Sequence, residues 1–138
     1  MARGSPDWQP WTAVQRFSGT GGATPYEQKI TVAANTTEGS PSSQDITLEK
    51  GFVSHVWLRF PQGPAGLLHI GIFAGETKLW PGGGGQWFTG DNEVIEFDTE
   101  YDVPKVVTVY KLTLKGWNQD DSYEHSALAR IWVVKLPA

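Results

Sequence analysis

The stretch GFVSHVWLRFPQGPAGLLHIGIFAG, residues 51–75, decides the fold class of this chain. Its alternate residues divide between the two faces of an extended strand, with Phe52, Val56, Leu58 and Phe60 on one and Val53, His55, Trp57 and Arg59 on the other. The segment 61–66 is rich in Pro and Gly and separates this strand from a second one at 67–75. The sequence therefore predicts two strands that pair as a hairpin or meander.

The remainder of the chain repeats this pattern of short strands and turns. The 138 residues include seven Trp, six Phe, four Tyr, sixteen Gly and nine Pro, a composition that favours strands joined by tight turns. No helical periodicity persists for ten residues, and about eight strands follow one another at regular spacing. We therefore predict an all-β domain, a β-sandwich or jelly roll, over residues 26–138.

Composition also excludes several classes of function. The formal net charge is −4 and the Lys and Arg residues are scattered, which argues against a nucleic-acid partner. No apolar run approaches the roughly 20 residues that span a bilayer, so no membrane segment is expected. The chain has no cysteine, which excludes disulfides, thiolate zinc sites and cysteine nucleophiles.

The first 25 residues differ from the rest and predict an extended N-terminal arm. Pro and Gly residues interrupt any regular element there, yet Trp8, Trp11, Val14 and Phe17 are too apolar for a free tail. The arm either folds back on its own domain or clasps a neighbouring subunit, a mobile tail being the third alternative. We assign these four side chains as the candidate partner-binding residues.

The sequence nominates no catalytic residue, metal site or cofactor. The histidines, His55, His69 and His125, are expected to be isolated structural or surface residues. The acidic segment 91–102 is read as a solvated strand face, with Ca²⁺ coordination as the alternative. The loop PGGGG at 81–85 lacks the Lys and the helix of a phosphate-binding loop. The chain is therefore predicted not to be an enzyme.

The tryptophan residues are the remaining candidates for a ligand or interface site. Trp80 and Trp87 flank the glycine loop, and Trp117 ends a strand beside a polar turn. Each could simply pack in the core or at an edge. Aromatic side chains at strand ends also anchor protein interfaces or stack on sugar rings, so a carbohydrate-binding module is the alternative function.

Two units in residues 66–134 resemble small virion proteins of tailed bacteriophages. The first consists of Trp87, Phe88, Gly90, Asp91, Glu93, Ile95, Glu96 and Phe97, and the second of Leu112, Leu114, Gly116, Trp117, Asn118 and His125. The resemblance implies a capsid decoration (cement) protein, located on the capsid surface of the virion. It further implies a homo-oligomer, with a trimer favoured, that binds the major capsid protein or other virion subunits through the arm.

Overall fold

A computed structural model describes residues 22–135, and these residues contain nine strands and no helix. The strands are β1 (Thr24–Val32), β2 (Ser42–Thr47), β3 (Gly51–Phe60), β4 (Leu68–Ala74), β5 (Thr77–Trp80), β6 (Glu93–Asp102), β7 (Lys105–Val106), β8 (Val109–Asn118) and β9 (His125–Lys135). Within this part of the chain there is accordingly no helix long and apolar enough to cross a membrane.

The strands form two antiparallel sheets packed face to face. The front sheet has the order β1-β9-β3-β6, and the back sheet has the order β2-β8-β4-β5, with the short β7 paired to β8. The chain passes repeatedly from one sheet to the other, which is the strand arrangement of a jelly roll. The prediction of an all-β sandwich is confirmed.

Strands β3 and β4 do not pair with each other. β3 lies in the front sheet between β9 and β6, whereas β4 lies in the back sheet between β8 and β5. The segment 61–67 therefore crosses between the sheets, and the predicted hairpin is wrong. Pro and Gly mark a change of direction, but they do not say whether the chain returns to the same sheet.

A bulge in β3 changes which of its residues face the core. The register with both neighbours shifts between Val53 and His55, so Ser54 is an extra residue. Val53 consequently points inward and is fully buried, while Phe52 is half-buried. The predicted face is correct from Val56 onward and wrong before the bulge.

The core fills the space between the sheets with branched aliphatic side chains. Among its largest fully buried members are Ile30, Ile46, Leu58, Phe60, Leu68, Ile70, Ile72, Leu112, Leu114 and Ile131. Both sheets contribute in alternation, as a sandwich requires. The five tryptophans of residues 22–135 are absent from this fully buried set, and each is half-buried.

Candidate interaction surfaces

The outer face of the back sheet carries a group of aromatic side chains, here called the back-sheet cluster: His69, Phe73, Trp87 and Trp117. The His69 ring stacks on Trp117 with 3.8 Å between centroids, and Trp87 meets Trp117 edge-on at 6.2 Å. Phe73 lies 5.8 Å from Trp87. The structure therefore brings together two of the three tryptophans that the sequence nominated.

Glycine at position 71 makes room for the cluster. A Cβ there would lie 2.9 Å from Cε1 of Phe73 and 3.1 Å from the six-membered ring of Trp87. The indole therefore packs directly on the backbone of β4. On the other side of the cluster, Nε1 of Trp87 donates a 2.9 Å hydrogen bond to Glu38.

Basic side chains cover part of the same cluster. The ammonium group of Lys78 lies 5.0 Å from the Trp87 centroid, and that of Lys115 lies 4.8 Å from the Phe73 centroid. Burial lowers the pKa of His69 below its ordinary value, so the stacked imidazole stays neutral at physiological pH. Cations over ring faces and a neutral stacked histidine stabilise the arrangement of the rings.

A shallow cavity of about 320 Å³ lies beside Trp117. Its lining residues are Asn35, Thr36, Thr37, Glu38, Trp117, Asn118 and Gln119. Nε1 of Trp117 is buried and has no hydrogen-bond partner among residues 22–135. This donor is therefore unpaired within the described part of the chain, while other atoms of Trp117 line the cavity.

Trp80 lies elsewhere, between the two sheets. Its position opposite Ile72 turns it inward, and it meets Phe97 and Tyr101 of β6 edge-on at 5.6 Å and 5.7 Å. Phe88 lies 6.1 Å from Phe97. These four half-buried side chains, Trp80, Phe88, Phe97 and Tyr101, line the open side of the sandwich, and we call this surface the β5–β6 cleft.

The outer face of the front sheet carries a second mixture of aromatic and charged groups. The guanidinium of Arg130 lies 4.6 Å from the Trp57 centroid and donates to Glu27 across the strands at 2.7 Å and 3.0 Å. The His55 ring lies 5.3 Å from that of Trp132. Trp57 and Trp132 are therefore partly covered by neighbours of their own sheet.

Two of the three histidines, His55 and His125, pair with carboxylates and are not isolated. His69 instead bonds the carbonyl of Leu67 and stacks on Trp117. His55 bonds Asp98 at 2.6 Å and Glu96 at 2.8 Å, both on the adjacent β6. His125 bonds Asp120 at 2.8 Å. These partners are distant in sequence for His55, and only the strand register reveals them.

Two aspartates hold the loops at one end of the sandwich. Asp91 accepts hydrogen bonds from the backbone N–H groups of Gly63 and Ala65, and these bonds lower the pKa of its carboxyl group. Backbone N–H groups of Ser122 and Tyr123 and the His125 ring likewise lower the pKa of Asp120. Both carboxylates therefore fix loop conformation.

Within residues 22–135, the His, Asp and Glu side chains form no group of three or more that could hold a metal ion. The acidic strand β6 instead alternates, with its carboxylates exposed and Ile95, Phe97 and Tyr101 turned toward the core. Exposed carboxylates on this strand are what the interpretation of segment 91–102 as a solvated strand face predicts.

Comparison with known proteins adds one structural likeness. No protein-family model matches the chain, and no curated protein matches it. A solved chain from work describing Bacillus endospore appendages as a novel family of disulfide-linked pili aligns over 91% of this chain and 100% of that one. The sequences are 13% identical and the TM-score is 0.36. Such a likeness carries no argument about function, and this chain has no cysteine for a disulfide link.

The resemblance to capsid decoration proteins is corrected by this comparison, because the likeness found is to a chain from pili and not to a virion protein. The predicted virion function, capsid-surface location and capsid partner are corrected with it, since no match found among known proteins supports them. The carbohydrate-binding alternative placed Trp80, Trp87 and Trp117 on one stacking platform. This platform of three rings does not form, because Trp80 faces the space between the sheets.

The remaining sequence-predicted site lies outside the described residues. Trp8, Trp11, Val14 and Phe17 precede residue 22, so their assignment as partner-binding residues stays a prediction. The β5–β6 cleft was not found from sequence, although the inward alternation of Phe97 and Tyr101 could have indicated it.

Proposed function

We propose that this chain is a non-enzymatic structural subunit that assembles with copies of itself. The observation that carries the proposal is the pair of long edge strands in the front sheet. Within residues 22–135, β1 (nine residues) pairs only with β9, and β6 (ten residues) pairs only with β3. An edge strand presents a row of free backbone N–H and C=O groups, which is a template for another chain.

The chemistry of the polar groups supports a structural role. His55 joins β3 to β6 through Glu96 and Asp98, and His125 joins Asp120 within its own loop. These side chains are committed to bonds that hold strands and loops in place. A general acid or base needs instead to reach a substrate proton.

The aromatic arm supports assembly as well. Trp8, Trp11 and Phe17 would lose favourable burial if they stayed in water, because each aromatic side chain buries about 150–250 Å² in an interface. A specific interface buries more than about 1,000 Å² in total. The arm therefore supplies a substantial share of the area that a stable contact requires.

The test is the mass of the full chain in solution, measured by light scattering and sedimentation over a wide concentration range. We expect a species heavier than the 15.2 kDa monomer. For a trimer the measured mass should reach a plateau as the concentration rises. For an open chain of copies it should keep increasing. A mass of 15.2 kDa at every concentration would overturn the proposal.

A full-length variant tests whether the arm contributes to assembly. Replacing Trp8, Trp11, Val14 and Phe17 by Ser should weaken assembly, since the apolar area is lost. The matched control replaces four polar arm residues, Gln9, Thr12, Gln15 and Thr20, by Ser. An equal effect of both variants would show that the apolar side chains have no special part.

A further inference from the structure

We infer that the β5–β6 cleft is the docking site for the N-terminal arm of a second copy of this chain. This inference rests on the proposed function and adds the location of the contact. The proposed contact joins Trp8, Trp11, Val14 and Phe17 of one copy to Trp80, Phe88, Phe97 and Tyr101 of the next.

The core is incompletely covered on this side of the sandwich. β5 has only four residues, whereas β6 has ten, and beyond β5 this edge of the back sheet is continued by the bridge between Phe88 and Ile70. Phe97 and Tyr101 face inward from β6 and yet remain half-buried. Inward-facing residues of the neighbouring β3, such as Val56 and Leu58, are at most 1% exposed. The described residues thus leave apolar surface of the core accessible at the cleft.

The apolar residues of the arm have a regular spacing in the sequence. Trp8, Trp11, Val14 and Phe17 follow one another at intervals of three residues. A backbone with three residues per turn brings such side chains to one face, as in the proline-rich segments that bind aromatic grooves. Pro6 and Pro10 lie in the same part of the arm. A groove lined by aromatic rings matches this pattern better than a β-ladder, which would divide the four side chains between two faces.

The arm and the strand beside the cleft carry opposite charge. The outer face of β6, beside the cleft, carries four carboxylates: Glu96, Asp98, Glu100 and Asp102. Glu96 and Asp98 bond His55, whereas Glu100 and Asp102 have no ion pair among residues 22–135. The arm carries Arg3 and Arg16 against a single acidic residue. Opposite charge directs the arm toward this edge and sets its orientation.

The point where the arm joins the domain and the cleft lie at opposite edges of the front sheet, which allows a neighbouring copy to supply the arm. The arm enters the domain at Thr24, which lies in the same ladder row as Tyr101, with Val133 and Val53 between them. Three strand spacings, about 14 Å, separate the two edges. The arm therefore leaves from the edge opposite the cleft, and successive copies can join head to tail. Such a contact closes into a ring when the rotation between copies allows it and otherwise continues as an open chain.

Cysteine cross-linking tests the location, because the natural chain has no thiol to interfere. One full-length copy carries Gln15→Cys in the arm, and a differently tagged copy carries Glu100→Cys on the exposed face of β6. The matched control carries Thr31→Cys, which is exposed on the opposite edge strand. After mild oxidation of an equimolar mixture, we expect the Gln15–Glu100 disulfide between copies to form at least several-fold faster than the Gln15–Thr31 disulfide.

The outcomes separate this inference from the proposed function. Assembly with equal cross-linking to both edges would overturn the cleft as docking site and leave self-assembly intact. A chain carrying both Gln15→Cys and Glu100→Cys that closes on itself in dilute solution would show that the arm occupies its own cleft, which also overturns the inference. A monomeric full chain would overturn both.

A charge exchange gives a second test that leaves the core untouched. Glu100→Arg should weaken assembly on the order of two- to fivefold, as expected for one exposed ion pair. Adding Arg16→Glu to the same chain should restore it. Glu124→Arg, in the exposed loop before β9, is the control and should leave assembly unchanged. Failure of Arg16→Glu to rescue Glu100→Arg would contradict the proposed orientation of the arm.

Discussion

The side-chain amide of Asn118, at the end of β8, donates a 3.2 Å hydrogen bond to the carbonyl of Val32, at the end of β1. This bond joins the back sheet to the front sheet. The same amide also reaches the carbonyls of Ala33, at 3.4 Å, and Tyr123, at 3.0 Å. Asn118 is only 1% exposed, so water does not compete for these acceptors.

Asn118→Ala should therefore lower the free energy of unfolding by about 2–3 kcal/mol, because buried carbonyl groups lose their donor. Urea unfolding measures the change through the shift of the midpoint at constant slope. Gln119→Ala changes the adjacent, exposed residue and should have little effect. Equal destabilisation by both variants would show that the amide does not join the sheets.

Gly71→Ala should disturb the back-sheet cluster. The added methyl group would lie 3.1 Å from the Trp87 ring and 2.9 Å from Phe73, so these rings must move, at a cost of about 1–3 kcal/mol. Trp fluorescence of the folded protein should change together with the unfolding midpoint. Gly84→Ala is the control, since a Cβ at Gly84 meets nothing within 4 Å. An unchanged emission spectrum in Gly71→Ala would contradict the contact of Trp87 with β4.

Val107→Asn should stabilise the protein by about 1 kcal/mol. Val107 has a φ of 59°, a conformation that a β-branched residue adopts at a cost of about 1–2 kcal/mol and that Asn tolerates better. Its side chain is 90% exposed, so little burial is lost. Calorimetry should show a higher Tm. Thr108→Asn, at the next turn residue, lacks this strain and should give no gain; a gain there of the same size would rule out backbone strain as the cause.

Asp120→Asn should reduce the loss of stability in acid. The folded-state pKa of Asp120 lies below its ordinary value, chiefly through the N–H of Ser122 and also through His125. The ionised carboxylate thus favours the folded state above the unfolded pKa, near about 4, and this contribution disappears as the pH falls through the folded-state pKa. Urea midpoints measured between about pH 7 and about pH 3 should fall less in the variant. Asp121→Asn is the neighbouring control and should follow the natural protein.

The strands themselves could be predicted from sequence, because alternation and turn residues act locally. Their order in the sheets could not, since pairing joins residues as distant as Thr24 and Val133. The bulge at Ser54 and the register shift beside Ile72 each turn side chains to the opposite face, and alternation alone does not mark them. The register shift beside Ile72 lies in the pairing of β5, the strand that carries Trp80. The sequence therefore grouped Trp80 with Trp87, whereas the structure separates them.

The candidate surfaces were likewise only partly predictable from the sequence. Trp87 and Trp117 were predicted as candidate residues because aromatic side chains at strand ends can anchor protein interfaces or stack on sugar rings. The cleft was missed because its partners, Trp80 and Phe97, belong to different sheets and meet only through the packing of those sheets. The pairing of His55 with Asp98, 43 residues away, likewise depends on strand register.

The pairing of the first strand with the last has a consequence for biosynthesis. β1 lies beside β9 over its whole length, from Thr24 opposite Val133 to Val32 opposite His125. A ribosome delivers β1 early, and its hydrogen-bonding partner appears only after about 100 further residues, so the front sheet cannot form as the nascent chain emerges. Contacts this distant in sequence also make folding slow. The aromatic arm therefore leaves the ribosome, within reach of chaperones and of completed copies, before its own domain exists.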